Sequence, residues 1–163
     1  QGLPPQDGVA ALLDRLSVRL GRDNVLRLVP QDTHIPERTQ HAVPAMDMPT
    51  PTLWPKPLPG ALPRPLYLFD PPQPIQAIAE VPDGPPHRFR WRRKMHDVHL
   101  SEGPERIAAE WWRRKAGHEP GKGGSTRDYY RIEDSMGRRY WIFRHGLYNE
   151  ASSPRWFIHG LFP

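Results

Sequence analysis

Proline placement is the feature that most constrains how this chain of 163 residues can fold. Of its 22 prolines, 16 fall between residues 30 and 86. Each proline removes a backbone N–H donor and fixes φ, so the run PTPTLWPKPLPGALPRP (49–65) excludes a helix or a central strand. We therefore predict three segments: a helix–strand segment over 1–38, an extended arm close to polyproline II over 39–63, and a folded domain over 64–163.

The proline-rich arm carries larger apolar side chains than a solvated linker needs. Leu53, Trp54 and Leu58 lie within it. Large apolar and aromatic side chains supply most of the energy in protein interfaces. We predict that the arm lies along a surface, its own or a partner's, rather than staying disordered. These three residues are our candidate anchors for a protein partner.

Residues 1–38 show the pattern of one amphipathic helix followed by one strand. Asp7 is placed to cap the helix, Gly21 suits the position after its end, and the strand is expected over 25–29. The apolar positions recur at three- and four-residue spacing: Val9, Leu12, Leu13, Leu16 and Leu20. One helix with one strand cannot bury such a face, so this segment must dock on an upstream domain, another chain or the C-terminal core.

Residues 64–163 have the short, aromatic-rich runs of an antiparallel β domain. Most of the chain's aromatic residues lie between Trp111 and Phe162, and aromatics provide the most burial per residue. A hairpin is expected where Gly137 ends the turn DSMG. The expected strands cover 66–69, 75–81, 88–93, 95–100, 129–133, 138–144 and 155–162, with a loop at 102–104. We predict a mainly β fold, α+β overall, with a small antiparallel barrel.

Two of these strands have a predicted orientation. Leu66 and Leu68 are expected to face inward, and Leu100 is expected to share a face with Val98 and His96. The run LYLF (66–69) also resembles the tail of a bacterial sliding-clamp motif. It lacks the preceding glutamine of such motifs, so an internal strand is the simpler interpretation.

No arrangement of residues predicts catalysis or metal binding. The chain has no cysteine, which excludes disulfides and thiolate metal sites and fits a reducing compartment. His96 and His99 point to opposite faces on a strand, and no third ligand has a suitable spacing. No serine lies in a nucleophile motif. We therefore expect no enzyme activity, no catalytic residue, no metal and no cofactor. No apolar run is long enough to cross a membrane, and a cytoplasmic location is expected.

The basic run RFRWRRK (88–94) is the strongest candidate for binding a nucleic acid. The chain carries a formal charge of +5, and Arg88, Arg90 and Arg92 are expected on one strand face about 7 Å apart. That spacing suits the phosphates of a single strand, with aromatics available for stacking. The competing interpretation is that Phe89 and Trp91 belong to the core and the arginines only solubilise the outer face.

Six sequence blocks, in order over nearly the whole chain, carry a family resemblance. They are LLDRLSVRLGRDNVLRLVPQDTHIPER (12–38), RPLYLFDPPQPI (64–75), VPDGPPHRFRWRR (81–93), EGPERIAAEWW (102–112), TRDYYRIEDSMGRRYWIFRHGLY (126–148) and PRWFIHGLF (154–162). GPERI…EWW and WF-x-HGLF are the most specific of these patterns. Together the blocks resemble the C-terminal region of the ImuB family, bacterial proteins related to Y-family translesion DNA polymerases.

The resemblance implies a non-catalytic adaptor in SOS-induced translesion synthesis and mutagenesis. The implied partners are the RecA-like protein ImuA, an error-prone replicative-type DNA polymerase and the sliding clamp, the last through a motif upstream or near the start of the region. QGLPP (1–5) keeps only a glutamine and a leucine of such a motif, so we assign none there. The alternative function is a small β-barrel that binds single-stranded DNA through Arg88, Arg90 and Arg92.

Overall fold

A computed structural model describes most of the chain and divides it into two compact units, Gln1–Ala61 and Leu62–Pro163. The described residues are 6–47, 53–56, 59–80, 84–110, 112, 126–146 and 155–163. The fold is mainly β with an N-terminal helix and a closed antiparallel barrel, which confirms the predicted fold class. Within the described residues, no helix combines the length and the apolar character needed to span a membrane.

The first unit is one helix and one two-stranded hairpin, joined by short 3-10 turns. Helix α1 spans Gln6–Leu20, and strands β1 (Leu26–Pro30) and β2 (Gln40–Pro44) pair antiparallel. The helix was predicted, but Asp7 is its second residue and not its cap. Gly21 follows the helix at φ 93°, and its N–H donates to the Ser17 carbonyl.

Strand β2 lies inside the segment 39–63, which was predicted to be an extended arm close to polyproline II. Its sequence, QHAVP, has no alternation of apolar and polar residues, so no periodic signal marks it as a strand. The pairing of Pro30 with Gln40 and of Leu26 with Pro44 places a proline at the C-terminal end of each strand. Prolines at strand ends cost few ladder hydrogen bonds, so the proline count of this region does not prevent a hairpin.

The second unit is a six-stranded barrel in which each strand pairs with the next and the last pairs with the first. All six pairings are antiparallel, so the predicted barrel is confirmed and the barrel has no open sheet edge. The strands are β3 (Tyr67–Ala79), β4 (Pro86–Trp91), β5 (Lys94–Ile107), β6 (Arg127–Asp134), β7 (Arg139–His145) and β8 (Arg155–Leu161).

Two breaks predicted from the sequence are irregularities inside long strands. The expected strands 66–69 and 75–81 are both part of β3, whose pairing with β8 is interrupted between Leu68 and Gln73. Prolines 71 and 72 lie in that interruption, where their missing N–H groups cost no ladder hydrogen bond. Likewise the expected loop at 102–104 is a register shift within β5 between Glu102 and Glu105.

The orientations predicted for three leucines are wrong, for two different reasons. Leu66 is 86% exposed and precedes β3, while Phe69 supplies the inward side chain and Leu68 is half-buried. Leu100 is 53% exposed because β5 shifts register between Val98 and Leu100. One extra residue in a strand reverses which face the following side chains occupy.

The barrel interior is apolar in the middle and polar at both ends. Alternate residues of β6 are buried: Tyr130 and Ile132 belong to the central core, and Asp128 and Asp134 lie at the two ends of the strand. The rest of the buried core is Phe69, Phe89, Tyr140, Ile142 and Ile158. The aromatic runs are therefore mainly packing residues, as expected from the sequence.

A second aromatic layer packs on the other face of β6, β7 and β8. The rings of Tyr129 and Trp141 are 4.1 Å apart and stacked, and Trp141 also stacks with His159 at 5.4 Å. All three residues are buried. The guanidinium of Arg64 lies 4.9 Å from the Trp141 ring centre and contributes a cation–π contact. Consecutive residues from Tyr140 to Arg144 are therefore buried, so both faces of β7 are covered.

Candidate functional site

The apolar face of helix α1 is largely uncovered in the folded chain. Val9 is 39% exposed, Leu12 48% and Leu20 54%, and only Leu13 and Leu16 on the same face are half-buried. The helix contacts the turn Ala45–Asp47 and the turn that follows its own end. A helix keeps such a face exposed in a soluble unit only at an energetic cost, so this face is typical of a docking surface.

The hairpin beside the helix adds more exposed apolar side chains. Leu26 and Leu28 alternate on β1 and are 53% and 50% exposed, and Met46 is 42% exposed. Among the described residues of this unit, Ile35 and Ala45 are the only buried hydrophobic side chains. A core of this size stabilises a unit weakly, since burial of apolar area is the main source of folding free energy.

Two of the three predicted anchors are exposed, and the third lies outside the described residues. Leu53 is 90% exposed and Trp54 is 53% exposed. Leu58 falls in a stretch that the structure does not describe. An exposed tryptophan beside an exposed leucine is available to a partner. We call one set of exposed apolar side chains of this unit the docking surface: Val9, Leu12, Leu20, Leu26, Leu28, Met46, Leu53 and Trp54. Val18, on the opposite side of α1, is not part of it.

The three arginines predicted to form a basic strand face do not share one face. Arg88 and Arg90 are exposed on β4, where Phe89 between them is fully buried. Arg88 forms an ion pair with Asp97 on β5. Arg92 is not on the strand, since it occupies the two-residue turn between β4 and β5 with φ 47°. The structure therefore separates Arg92 from the other two arginines.

Asp134 organises a buried polar cluster at one end of the barrel. His96 Nδ1 lies 3.0 Å from its Oδ2, and the hydroxyl of Tyr140 donates to the same oxygen at 3.3 Å. Arg138 donates from Nε at 2.8 Å, and the backbone N–H groups of Met136 and Arg138 donate to Oδ1 at 3.0 Å. Two backbone N–H groups of this β6–β7 turn and three side chains converge on one carboxylate, which fixes the turn.

The surroundings of this cluster shift two pKa values. Burial alone raises the pKa of Asp134, but hydrogen bonds from His96 and Arg138 outweigh it and hold the pKa well below its usual range. Burial, reinforced by the negative charge of Asp134, raises the pKa of Tyr140 to about 12. Asp134 therefore stays charged and Tyr140 stays neutral at neutral pH, so the cluster is a structural ion pair rather than an acid–base pair.

The two histidines considered as metal ligands are on different sides of the sheet. His96 is buried and stacks on Phe89 at 4.7 Å, whereas His99 is exposed. In the part of the chain that the structure describes, no group of three histidine or carboxylate side chains could hold a metal ion. The separation of His96 from His99 follows the strand geometry that the sequence predicted.

A cavity of about 490 Å³ lies at the Asp134 end of the barrel. Its lining comes from the β4–β5 turn, the β6–β7 turn and the end of β8, three regions far apart in sequence. The polar and basic lining residues are Arg92, Lys94, His96, Arg138, Arg139 and Tyr140. The other lining residues are Trp91, Gly137, Leu161, Phe162 and Pro163. Sequence reasoning missed this cavity, because only the closed register of the barrel brings these segments together.

The opposite end of the barrel is closed by a second carboxylate. Asp128 accepts hydrogen bonds from Arg106 Nε at 2.7 Å and from Arg144 at 2.9 Å, and Arg144 is buried. Burial tends to raise the pKa of Asp128, but the two arginines lower it overall. The two ends of the barrel thus carry different chemistry: residues bound to Asp134 line the cavity, whereas Asp128 is bound by two arginines.

Comparison with known proteins identifies relatives over both units. The chain is 48% identical over 157 residues to the protein ImuB of two strains of Caulobacter vibrioides. The match covers 94% of this chain and 33% of each relative, so the chain spans about a third of the length of the curated relatives it matches. No protein-family model matches the chain, and no solved structure matches it significantly.

Proposed function

Because the chain is related to ImuB over 94% of its length, we propose that it is a non-catalytic adaptor region in DNA-damage-induced translesion synthesis and mutagenesis. The observation that carries this proposal is the docking surface of the first unit. Its leucines and its tryptophan stay exposed although the described part of the unit is folded into a helix and a hairpin. Large apolar side chains left in this state are typical of surfaces that a protein partner covers.

The proposed partner of the docking surface is the RecA-like protein ImuA. The amphipathic face of α1 suits the helix-in-groove mode of recognition, in which apolar residues three and four positions apart enter a groove of the partner. Leu53 and Trp54, close to prolines on both sides, add an extended segment that a partner can bind with little loss of backbone entropy. An error-prone replicative-type polymerase is a further proposed partner, and clamp binding is proposed for a motif outside the described residues.

The absence of catalysis is part of the same proposal. Asp134, His96 and Tyr140 are the most concentrated group of titratable side chains in the barrel, and their hydrogen bonds serve one another. Among the described residues, no serine is hydrogen-bonded to a histidine as a nucleophile would be.

A pair of helix variants tests the docking surface. Leu12→Glu places a charge on the apolar face of α1, and Val18→Glu places the same charge on the opposite side of the helix. Val18 is 89% exposed on the same helix, so its substitution controls for the effect of a new glutamate on α1 itself. We expect Leu12→Glu to weaken copurification with ImuA at least tenfold, because a buried unpaired charge at an interface is costly.

The control defines what contradicts the proposal. Val18→Glu should bind as the unchanged chain does, and circular dichroism should show that both variants keep the helix. Equal binding by the two variants would exclude the apolar face of α1 as the contact. A complex that dissociates at moderate salt concentration would indicate an electrostatic contact rather than an apolar one.

A further inference from the structure

We propose that the cavity at the Asp134 end of the barrel binds one nucleotide unit of a single-stranded nucleic acid. The base would enter the cavity, and the flanking phosphates would lie on the basic side chains at its rim. This inference is independent of the adaptor proposal, because it concerns the barrel and not the docking surface.

The cavity has the size and the composition of a small-molecule site. Its volume of about 490 Å³ lies within the roughly 300–1,000 Å³ typical of ligand pockets, which are mostly apolar with a few placed polar groups. Trp91 and Phe162 are half-buried and line it, so each presents part of its ring to a ligand. Rings that line a partly apolar cavity are suited to stacking with a base.

The charge of the cavity lining is positive only. Arg92, Lys94 and Arg139 form no ion pair within the described residues, and no acidic side chain is among the lining residues. Arg138 is different, because it is held by Asp134. Three cations without acidic partners around one cavity attract a polyanion, and each phosphate contact adds to the salt dependence of binding.

The fold positions the side chain of Arg92 and the backbone of Arg139 at the rim of the cavity. Arg92 lies in the turn between β4 and β5, with its guanidinium 4.5 Å from the Trp91 ring centre. The indole N–H of Trp91 donates to Gln73 at 2.9 Å, which fixes the ring on the sheet. Arg139 begins β7, and its carbonyl accepts a hydrogen bond from the N–H of Phe162 at 3.1 Å. A preorganised site loses less entropy on binding.

One buried acceptor distinguishes a base from a carboxylate ligand. His96 lines the cavity, and its Nδ1 is occupied by Asp134. With the proton on Nδ1, Nε2 is an acceptor, and it is buried with no hydrogen-bond partner in the described structure. An amino or imino N–H of a base can donate to Nε2. The carboxylate of an acidic peptide carries only acceptor oxygens and cannot donate to it. The chemistry therefore favours a nucleic acid over an acidic peptide.

The site differs from the strand face predicted from the sequence. Arg88 and Arg90 lie on the outer face of β4, and Arg88 is paired with Asp97. Neither residue lines the cavity. Only Arg92 belongs to both the predicted set and the cavity, which allows the two locations to be separated by mutation.

Two charge-matched double variants of the full chain test the location. Arg92→Asn with Lys94→Gln removes two rim cations, and asparagine tolerates the positive φ of the turn. Arg88→Gln with Arg90→Gln removes two cations from the outer face of β4. We expect fluorescence anisotropy with an oligothymidylate to show at least tenfold weaker binding for the first pair, with the log–log salt slope reduced by about 1.4, since each phosphate contact on a single strand contributes about 0.7. The second pair should bind within twofold of the unchanged chain.

Three further probes separate the base from the phosphates and from other ligands. An abasic oligonucleotide of the same length should bind at least tenfold more weakly, because it has no base to enter the cavity. An oligouridylate distinguishes DNA from RNA, and either one binding supports the site. A polyglutamate peptide should not bind. If the double variant Arg92→Asn with Lys94→Gln loses the near-UV circular dichroism of the folded barrel, Arg139→Gln is tested in its place.

Several results would overturn the proposal. They are no binding of either oligonucleotide, equal losses in the two double variants, equal affinity for the abasic strand, and binding of polyglutamate that depends on Arg92 and Lys94. Failure here leaves the docking of ImuA untouched, since the two tests use different residues and different ligands.

Discussion

Asp134 connects the local sequence of a turn to the interior of the barrel. The turn DSMG places its first carboxylate inward at the end of β6, and Gly137 closes the turn at φ 77°. Within the barrel the same carboxylate receives hydrogen bonds from His96 on the neighbouring strand β5 and from Tyr140 on β7. A single side chain thus links two turn N–H groups to two further strands.

Replacing Asp134 with Asn is expected to destabilise the barrel. The change removes the negative charge that binds Arg138 and His96. It also places the amide group of asparagine, whose nitrogen is a donor, where both neighbours donate to an oxygen. We expect a loss of about 2–4 kcal/mol in the free energy of unfolding, by analogy with other buried charged hydrogen bonds. Urea unfolding measures this change in the free energy of unfolding. Glu133→Gln, one residue earlier, is the control and should change the free energy by less than about 0.5 kcal/mol.

The pH dependence of stability has a definite sign at the two buried carboxylates. The pKa values of Asp134 and Asp128 are lowered in the folded chain. A lowered pKa contributes stability that is present above the unfolded pKa of about 3.9 and is lost as pH falls towards the folded value. We expect the free energy of unfolding to fall steadily below about pH 4. Asp134→Asn should flatten that decline, and an unchanged slope would show that the carboxylate is not coupled to folding.

Single residues also show what sequence patterns can and cannot predict. The alternation in 88–91 correctly placed Phe89 inside the barrel and Arg88 outside. It failed at Arg92, because residues 92 and 93 form a tight turn with positive φ and contain no glycine or asparagine to signal it. The cavity depends on this turn, so it could not be located from the sequence.

At the scale of elements, closure of the barrel depends on the contact between β3 and β8. Gly160 pairs with Leu68, and a Cβ added there would lie 2.7 Å from the carbonyl oxygen of Tyr67 and 2.5 Å from the Pro65 ring. Real Cβ atoms do not approach backbone so closely. The glycine is therefore required by space rather than by its backbone angles.

Gly160→Ala is expected to destabilise the barrel by about 1–3 kcal/mol, the usual cost of overpacking. Thermal unfolding followed by near-UV circular dichroism reports the aromatic core. Gly8→Ala is the matched control, because a Cβ at this helical position meets nothing within 4 Å. The control should leave the barrel transition unchanged. If Gly160→Ala and Gly8→Ala unfold at the same temperature, β3 and β8 can separate without loss of the core.

Strand type was predictable in the barrel, whereas strand number and continuity were not. Alternating aromatic residues marked β6, β7 and β8, and the predicted ends of these strands lie within two residues of the observed ends. Prolines 71 and 72 and the Gly103–Pro104 pair instead suggested breaks, although β3 and β5 continue through both. A local signal shows that a ladder is interrupted, but only the neighbouring strands determine whether the chain resumes pairing.

At the scale of the whole molecule, the two units differ in how much they bury. The barrel has a continuous core of aromatic and aliphatic residues, whereas the helix–hairpin unit leaves most of its leucines exposed. The exposure of the helix face followed from the sequence, because one helix and one strand cannot cover each other. This division suits the adaptor role proposed above, in which the barrel would supply stability and the first unit the contact surface.

The most direct test of the adaptor account is a comparison of two chains for binding to ImuA. The full chain and the barrel unit alone, residues 62–163, would be measured by copurification and by isothermal titration at two salt concentrations. Near-UV circular dichroism first verifies that the shorter chain keeps the folded barrel. We predict a stable complex with the full chain and none with the barrel unit. Equal binding of ImuA by the barrel unit would contradict the account.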